Sequence, residues 1–486
     1  MDLLPQLPST PSFESHTKLL IEASEAKIAR IESQIRDLEC LRARERGIVA
    51  RLRAAIAPVH KLPAELLAEI FRYKCSSDWY GPYGSPIYSE AKKVQALTHV
   101  CVYWRQVAIN TPRLWTNTLS IELEKTPTDA YAARLKEWVD RSAPLPIGVH
   151  LVCWPGADAT AVLKVLLTAF HRWSGASFEL PSLSLLSRVP PEALQHLQRL
   201  QLQSRQDTNS GSLSTFSRAH NLRGLSLDIR RAARLSIPWS NLLDLNMTAD
   251  TPEEALHALL QCTNIVSASF HIPAWTDLPD LSEIKLTTLG RLETLDITFD
   301  AQQGFVVPFF VCLALPALKR LVLHLDSELS WSSAEFTQFQ LRSPNIDNLS
   351  ISWCSIDSDD LMAILRHAPL LSELLLEGCA DAFDDIVVEA LCFSPQDPVP
   401  LVPHLHEILV WHGCEAFEDD TVDALIASRW WTDEQLAAFP SPPKVSRWSR
   451  IEICREDSRN DNLEPEFEAK LEEYRAQGLR VAIDVS

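Results

Sequence analysis

One apolar triplet, spaced L-x-x-L-x-L, recurs along this chain and restricts its fold more than any other feature. It occurs at Leu197, Leu200 and Leu202, again at Leu222, Leu225 and Leu227, and at Leu242, Leu245 and Met247. A degenerate copy, Ile265, Ala268 and Phe270, is followed by Leu292, Leu295 and Ile297, by Leu318, Leu321 and Leu323, and by Ile346, Leu349 and Ile351. Two more stand at Leu371, Leu374, Leu376 and at Leu405, Ile408, Val410. Most copies lie about 20 to 29 residues apart, the period of a repeat that is one supersecondary unit. In a short strand alternate side chains point to opposite faces, so the second and third apolar positions of each copy share one face and the first sits in the approach. A single unit cannot bury that face, so neighbours must stack into a solenoid.

Each strand needs a returning segment with its own apolar stripe. Thr251-Pro252-Glu253-Glu254 opens a helix carrying Leu256, Leu259 and Leu260, and Asp357 to Asp360 precede Leu361, Ile364 and Leu365 before Pro369 ends it. Thr421 to Ile426, after an acidic FEDD turn, reads the same way. Two later copies extend to L-x-x-L-x-L-x-x-C, with Cys354 and Cys379 last, and Cys414 comes one residue late. This extension resembles cysteine-containing leucine-rich repeats. The expected solenoid spans residues 191–440, with 120–190 as an irregular first repeat or cap and 441–486 as a C-terminal cap. Within the former, Thr128 to Arg141 and Ala159 to His171 predict helices and Ile147 to Cys153 a strand. Within the latter, Ser449 to Cys454 and Leu479 to Val485 predict strands around a helix at Glu464 to Gln477.

Ahead of the repeats, Pro58 to Trp115 holds two short apolar helical patterns. LPAELLAEIF covers Leu62 to Phe71, VCVYWR covers Val100 to Arg105, and TPRLW covers Thr111 to Trp115. Pro63 suits a helix start, and Asn110, Thr111 and Pro112 stop the second helix. These three elements, in this order, resemble an F-box over residues 58–119. The resemblance implies a small all-α module whose apolar face docks on a Skp-type adaptor and, through it, a cullin ubiquitin ligase. The residues it assigns to that contact are Leu62, Pro63, Leu66, Leu67, Ile70, Phe71, Leu97, Val100, Cys101, Trp104 and Trp115. Ser76 to Glu90, rich in Ser, Gly, Pro and Tyr, predicts a loop.

Residues 18–57 contain a single Gly, Gly47, and strong helix formers throughout. Ile21, Ile28, Ile35, Val49 and Ile56 repeat by sevens, and Ile31, Leu38 and Leu52 take the complementary position, with Arg42 and Glu45 interrupting the seam. A long amphipathic helix follows, either a coiled-coil dimer or a lone helix against the rest of the chain. Residues 1–17 before it are expected to be disordered.

The fold class is therefore α/β: a long N-terminal helix, a small all-α F-box-like module and a leucine-rich-repeat-like solenoid. A net charge of -19 argues against nucleic-acid binding and favours basic partners. MDLLPQLPSTPSF lacks a signal-peptide pattern, and the apolar run Phe305 to Leu318 is broken by Pro308 and Pro316, so a cytoplasmic or nuclear protein without a membrane span is expected. The eleven Cys form no CxxC pair, which makes a disulfide framework or zinc ribbon unexpected. His404, His406, His412 and Cys414 are the densest metal-capable group, but their spacing matches no known ligand set. Without a phosphate loop, nucleophile elbow or HExxH, no enzyme activity and no cofactor are expected. The expected function is substrate recognition for a Skp–cullin–F-box ubiquitin ligase, with an interaction scaffold that does not lead to degradation as the alternative. Acidic loops at Asp357, Asp359, Asp360, Asp384, Asp385, Glu418, Asp419 and Asp420 either cap helices or meet a basic target.

Overall fold

The computed structural model describes residues 11–75, 88–116, 119–188, 194–204, 214–229, 235–277, 285–300, 304–326, 329–394, 396, 399–414, 419–439, 442–455 and 463–485. The chain divides into two units: residues 1–84 with 92–114, and residues 85–91 with 115–486. Most of the predicted loop at 76–90 and the start of the predicted N-terminal tail lie outside the described residues, as does Glu418.

In the smaller unit, α1 runs over Pro11–Ala55, so residues 11–17 are helical and not part of a disordered tail. Proline is tolerated in a first helical turn because its missing N–H would have had no acceptor there. Gly47 does not interrupt the helix. A 3-10 turn, Pro58–Lys61, leads to α2 (Ala64–Cys75), α3 (Tyr88–Val100) and α4 (Val102–Ile109). The sequence suggests one helix where α3 and α4 are two. The break is at Cys101, whose backbone is extended and whose thiol accepts a hydrogen bond from the Trp104 N–H at 3.4 Å, capping α4. Asn110 ends α4 ahead of Pro112.

The larger unit is built on one fourteen-stranded parallel sheet whose strands follow sequence order. Its N-terminal strands are β1 (Leu119–Leu123), β2 (Ile147–Cys153), β3 (Trp173–Glu179), β4 (Arg199–Ser204), β5 (Gly224–Ile229), β6 (Asp244–Thr248) and β7 (Ser267–Ile272). A two-residue strand, β8 (Thr287–Thr288), pairs outside this sheet with β10 (Leu313–Ala314). The main sheet continues through β9 (Thr294–Phe299), β11 (Arg320–His324), β12 (Asn348–Ser352), β13 (Glu373–Glu377), β14 (Glu407–Cys414), β15 (Arg450–Arg455) and β16 (Arg480–Val485). The sheet is open, with β1 and β16 at its ends.

Register explains the triplet. The second apolar positions form one continuous row: Leu200, Leu225, Leu245, Ala268, Leu295, Leu321, Leu349, Leu374 and Ile408 are neighbours in turn. The third positions form a parallel row two residues on, and both rows are buried. They share one core with apolar residues of the returning segments, including α7 (Pro252–Gln261) and α10 (Ser358–Arg366). Four asparagines tie successive repeats together, each just before a first-position residue. Asn221, Asn241, Asn264 and Asn345 donate to the carbonyls of Gln195, His220, Ser240 and Pro316, at 2.6, 3.1, 2.7 and 2.6 Å.

The region expected as an irregular first repeat or cap and the expected C-terminal cap both add strands to the sheet, and the strands expected at Ile147–Cys153, Ser449–Cys454 and Leu479–Val485 are β2, β15 and β16. In residues 120–190 the helices α5 (Asp129–Arg141) and α6 (Thr160–Leu166) alternate with β2 and β3, which pair in parallel and extend the same rows. In residues 441–486, β15 and β16 flank α14 (Pro465–Ala476) and add two further strands. The late position of Cys414 coincides with a register shift between Val410 and Cys414 in β14.

Candidate protein-interaction surfaces

α2 has two apolar faces. Leu67, Phe71 and Cys75, spaced by four, are about 1% exposed, and the Phe71 ring meets Trp104 at 4.8 Å between centroids. Leu66 and Ile70, one position earlier in each turn, stand 54% and 51% exposed, followed by Tyr73 at 85%. Periodicity accounts for both: i, i+4 and i, i+7 spacings each define a stripe, and a short helix can pack only one of them. Val100 and Val102, on either side of the Cys101 break, are also exposed.

The eleven predicted contact residues therefore separate. Leu66, Ile70, Val100 and Pro63 are exposed, Leu62, Leu97, Cys101 and Trp104 are half-buried, and Leu67 and Phe71 are core. The Tyr103 hydroxyl donates to the Leu62 carbonyl at 3.0 Å, tying the start of α2 to α4. The indole N–H of Trp104 is buried with no hydrogen-bond partner among the described residues. Trp115 is not a surface residue. It is 2% exposed and belongs to the larger unit, where its ring packs edge-on against Trp138 at 4.7 Å beneath the Arg141 guanidinium. Its carbonyl accepts from the Trp138 indole at 3.1 Å.

In the larger unit two of the acidic loops cap helices. Asp357 accepts from the Asp360 N–H at 2.8 Å while Asp360 accepts from the Asp357 N–H, a reciprocal box at the start of α10. Asp384 accepts from Val387 N–H at 3.0 Å at the start of α11 (Asp385–Leu391). Asp419 and Asp420 occupy the first turn of α12 (Asp419–Arg429). Such oxygens satisfy N–H groups that have no partner within the helix.

A different acidic group, not singled out in the sequence, lies on the solvent face of the sheet. The positions that alternate with the two buried rows belong to the other face, and on β13 and β14 they are Glu373, Leu375, Glu377, Glu407, Trp411 and Leu409, the last of them buried. The alternation was readable, because these residues flank the apolar positions of the triplet, but their alignment across strands was not. Beside them Trp353, Gly378 and His412 follow matched strand positions, and all have positive φ, of 56°, 63° and 52°. The Trp353 ring lies over Gly378 and stacks on His412 at 6.5 Å and 12°. On β2 to β6 the same face is an open groove of about 550 Å³ lined by Gly148, Gly175, Gly224, Ser226 and Asn246.

Burial pushes the thiols of Cys262 and Cys312 up to about 12 and raises Cys354 and Cys379 as well. His406 Nδ1 lies 3.0 Å from the Ser449 hydroxyl while His412 stacks on Trp353, and no group of three metal-capable side chains occurs among the described residues. No helix among them is long and apolar enough to cross a membrane. No protein-family model matches the chain, and no curated protein matches it.

Proposed function

We propose that this chain is the substrate-recognition subunit of a Skp–cullin–F-box ubiquitin ligase. The observation that carries the reading is the two-faced α2: Leu67 and Phe71 hold the helical unit together, leaving Leu66 and Ile70 uncovered at the motif that resembles an F-box. An exposed apolar stripe on so small a helical unit is the mark of a docking surface. Pro63 and Val100 extend it, and the half-buried Leu62, Leu97, Cys101 and Trp104 back it.

The larger unit is read as a leucine-rich-repeat-like solenoid that holds the target protein. One parallel strand per repeat, in sequence order, and the asparagine ties between repeats support that reading. The chain supplies no reaction chemistry or cofactor. It raises the effective concentration of its target beside a ubiquitin carrier bound to other subunits. The site of action is the cytoplasm, the nucleus or both. Along α1, Ile21, Ile28, Ile31, Ile35, Leu38, Val49 and Leu52 are all exposed, so a second copy of the helix is the natural cover, as a coiled coil.

Co-purification of the full chain with a recombinant Skp-type adaptor and cullin tests the main reading. A stoichiometric complex is expected, and it is lost when Leu66, Ile70 and Val100 are changed together to Ala. Absence of a complex with the unaltered chain overturns the assignment.

A further inference from the structure

We propose that the outward face of β12 to β14, capped by Trp353, receives a lysine or arginine side chain flanked by apolar residues in an extended segment of the target. The inference rests on the reading that the repeats hold that target, and it names the chemistry recognised.

Charge is the first argument. The outward positions of these three strands carry Glu373, Glu377 and Glu407 and no Lys or Arg. Each carboxylate has only a neutral hydrogen-bond donor: Asn348 for Glu373, Ser352 for Glu377 at 3.3 Å, and Ser449 for Glu407 at 3.1 Å. The nearest outward cations, Arg320 and Arg450, stand on the adjoining strands; Arg450 pairs with Glu452 at 2.8 Å and lies directly opposite Glu407, whose charge it also feels, so Glu373 and Glu377 are the acids left without a cation. Glu373 and Glu377 make no ion pair among the described residues. Two carboxylates so placed on one strand repel phosphates and acidic segments and attract a cation.

The apolar component is the second. Leu375, half-buried, occupies the middle outward position between Glu373 and Glu377, whereas its neighbour Leu409 is buried and the half-buried Trp411 lies beside Glu377. Trp353 is 42% exposed, an uncommon state for the largest side chain, and its backbone N–H donates to the Glu377 carbonyl at 2.6 Å. Gly378 has no side chain, so the indole lies directly over it, its ring nearly parallel to that of His412. An indole fixed beside a carboxylate suits a cation, which is attracted both to the ring face and to the charge. Leu375, between the two acids of β13, suits an apolar neighbour of that cation in an extended segment.

Selection of a random peptide library displayed on phage against the immobilised full-length chain tests this. The expected outcome is enrichment of peptides with Lys or Arg beside Leu, Ile, Met or an aromatic residue. A synthetic peptide of the enriched sequence should bind about tenfold more weakly to Trp353→Ala and to the double variant Glu373→Gln, Glu377→Gln, and more weakly in high salt. The glutamine pair keeps the size and hydrogen-bonding capacity of the acids, so it reads charge even if the tryptophan variant disturbs the strand ends. Enriched peptides without a basic residue, or binding indifferent to the glutamine pair, overturn the proposal. Adaptor binding on the same samples should be unchanged in every variant, so a failed selection removes the cation site and leaves the adaptor reading standing.

Discussion

Truncating the exposed stripe of α2 should cost adaptor affinity and leave the fold intact, whereas truncating the buried stripe one residue away should do the reverse. Leu66 and Ile70 are 54% and 51% exposed, so about half of each side chain remains to be covered by a partner. Full burial of a Leu or Ile is worth about 1.5–3 kcal/mol, so the available half is about 0.8–1.5 kcal/mol each. Together the two contribute about 1.5–3 kcal/mol, a loss of roughly 10- to 150-fold in affinity when both become Ala. Leu67 and Phe71 are 1% exposed, and their truncation leaves cavities costing about 2–5 kcal/mol of stability. That is enough to unfold a helical unit of this size, which has little to spare. The assay pairs calorimetric titration of a Skp-type adaptor into each variant of the full chain with circular dichroism melting of the same samples. The reasoning is refuted if Leu66→Ala/Ile70→Ala binds like the unaltered chain, or if Leu67→Ala melts normally and loses binding instead.

Four further outcomes follow from the geometry. Gly378→Ala should destabilise the larger unit by about 1–2 kcal/mol from the left-handed backbone alone, and more because an added Cβ would lie 2.5 Å from the Trp353 ring; an unchanged melting temperature would contradict the observed packing. Asp357→Ala removes a reciprocal cap from α10 and should cost about 1 kcal/mol, read by chemical denaturation. Cys262 and Cys312 hold their protons from the usual 9.0 up to about 12, whereas the unfolded thiols release theirs near 9. Their contribution to stability is therefore full below pH 9 and falls as pH rises toward 12, and both should resist alkylation in the folded chain while exposed Cys40 reacts, as mass spectrometry can read. Light scattering of the full chain should show self-association that Ile28→Lys/Ile35→Lys abolishes; a monomer at high concentration would rule out the coiled coil.

The triplet pattern carried most of the larger unit. Once Leu200, Leu225 and Leu245 are spaced by one repeat, the alternation of a strand dictates that they share a face, and stacking dictates that they align. Where the pattern degenerates, strands remain legible but their membership of the row does not. Leu119, Val149 and Ala176 at one end, and Ile451 and Val481 at the other, occupy the same row as the repeat leucines, but their neighbours lack the full triplet, so spacing alone does not join them to the same sheet. Backbone pairing tolerates any apolar residue in that row, whereas pattern reading requires leucine-like ones. The same limit explains Cys101, whose role as a helix cap depends on an extended backbone that no spacing announces.

The sequence by itself determined which residues are apolar at which period: a long helix, a short helical unit and a stack of parallel strands. It could not say which of two adjacent stripes on α2 is covered, because Leu66 and Leu67 are chemically the same residue and only the fold leaves one 54% exposed and buries the other to 1%. Nor could it bring Glu373 beside Glu407, or Glu377 beside the end of the strand that leads into Trp353. Residues on neighbouring strands are some thirty positions apart in the chain and a strand spacing of about 4.8 Å apart in the sheet, so their shared electrostatics exists only once the register is set.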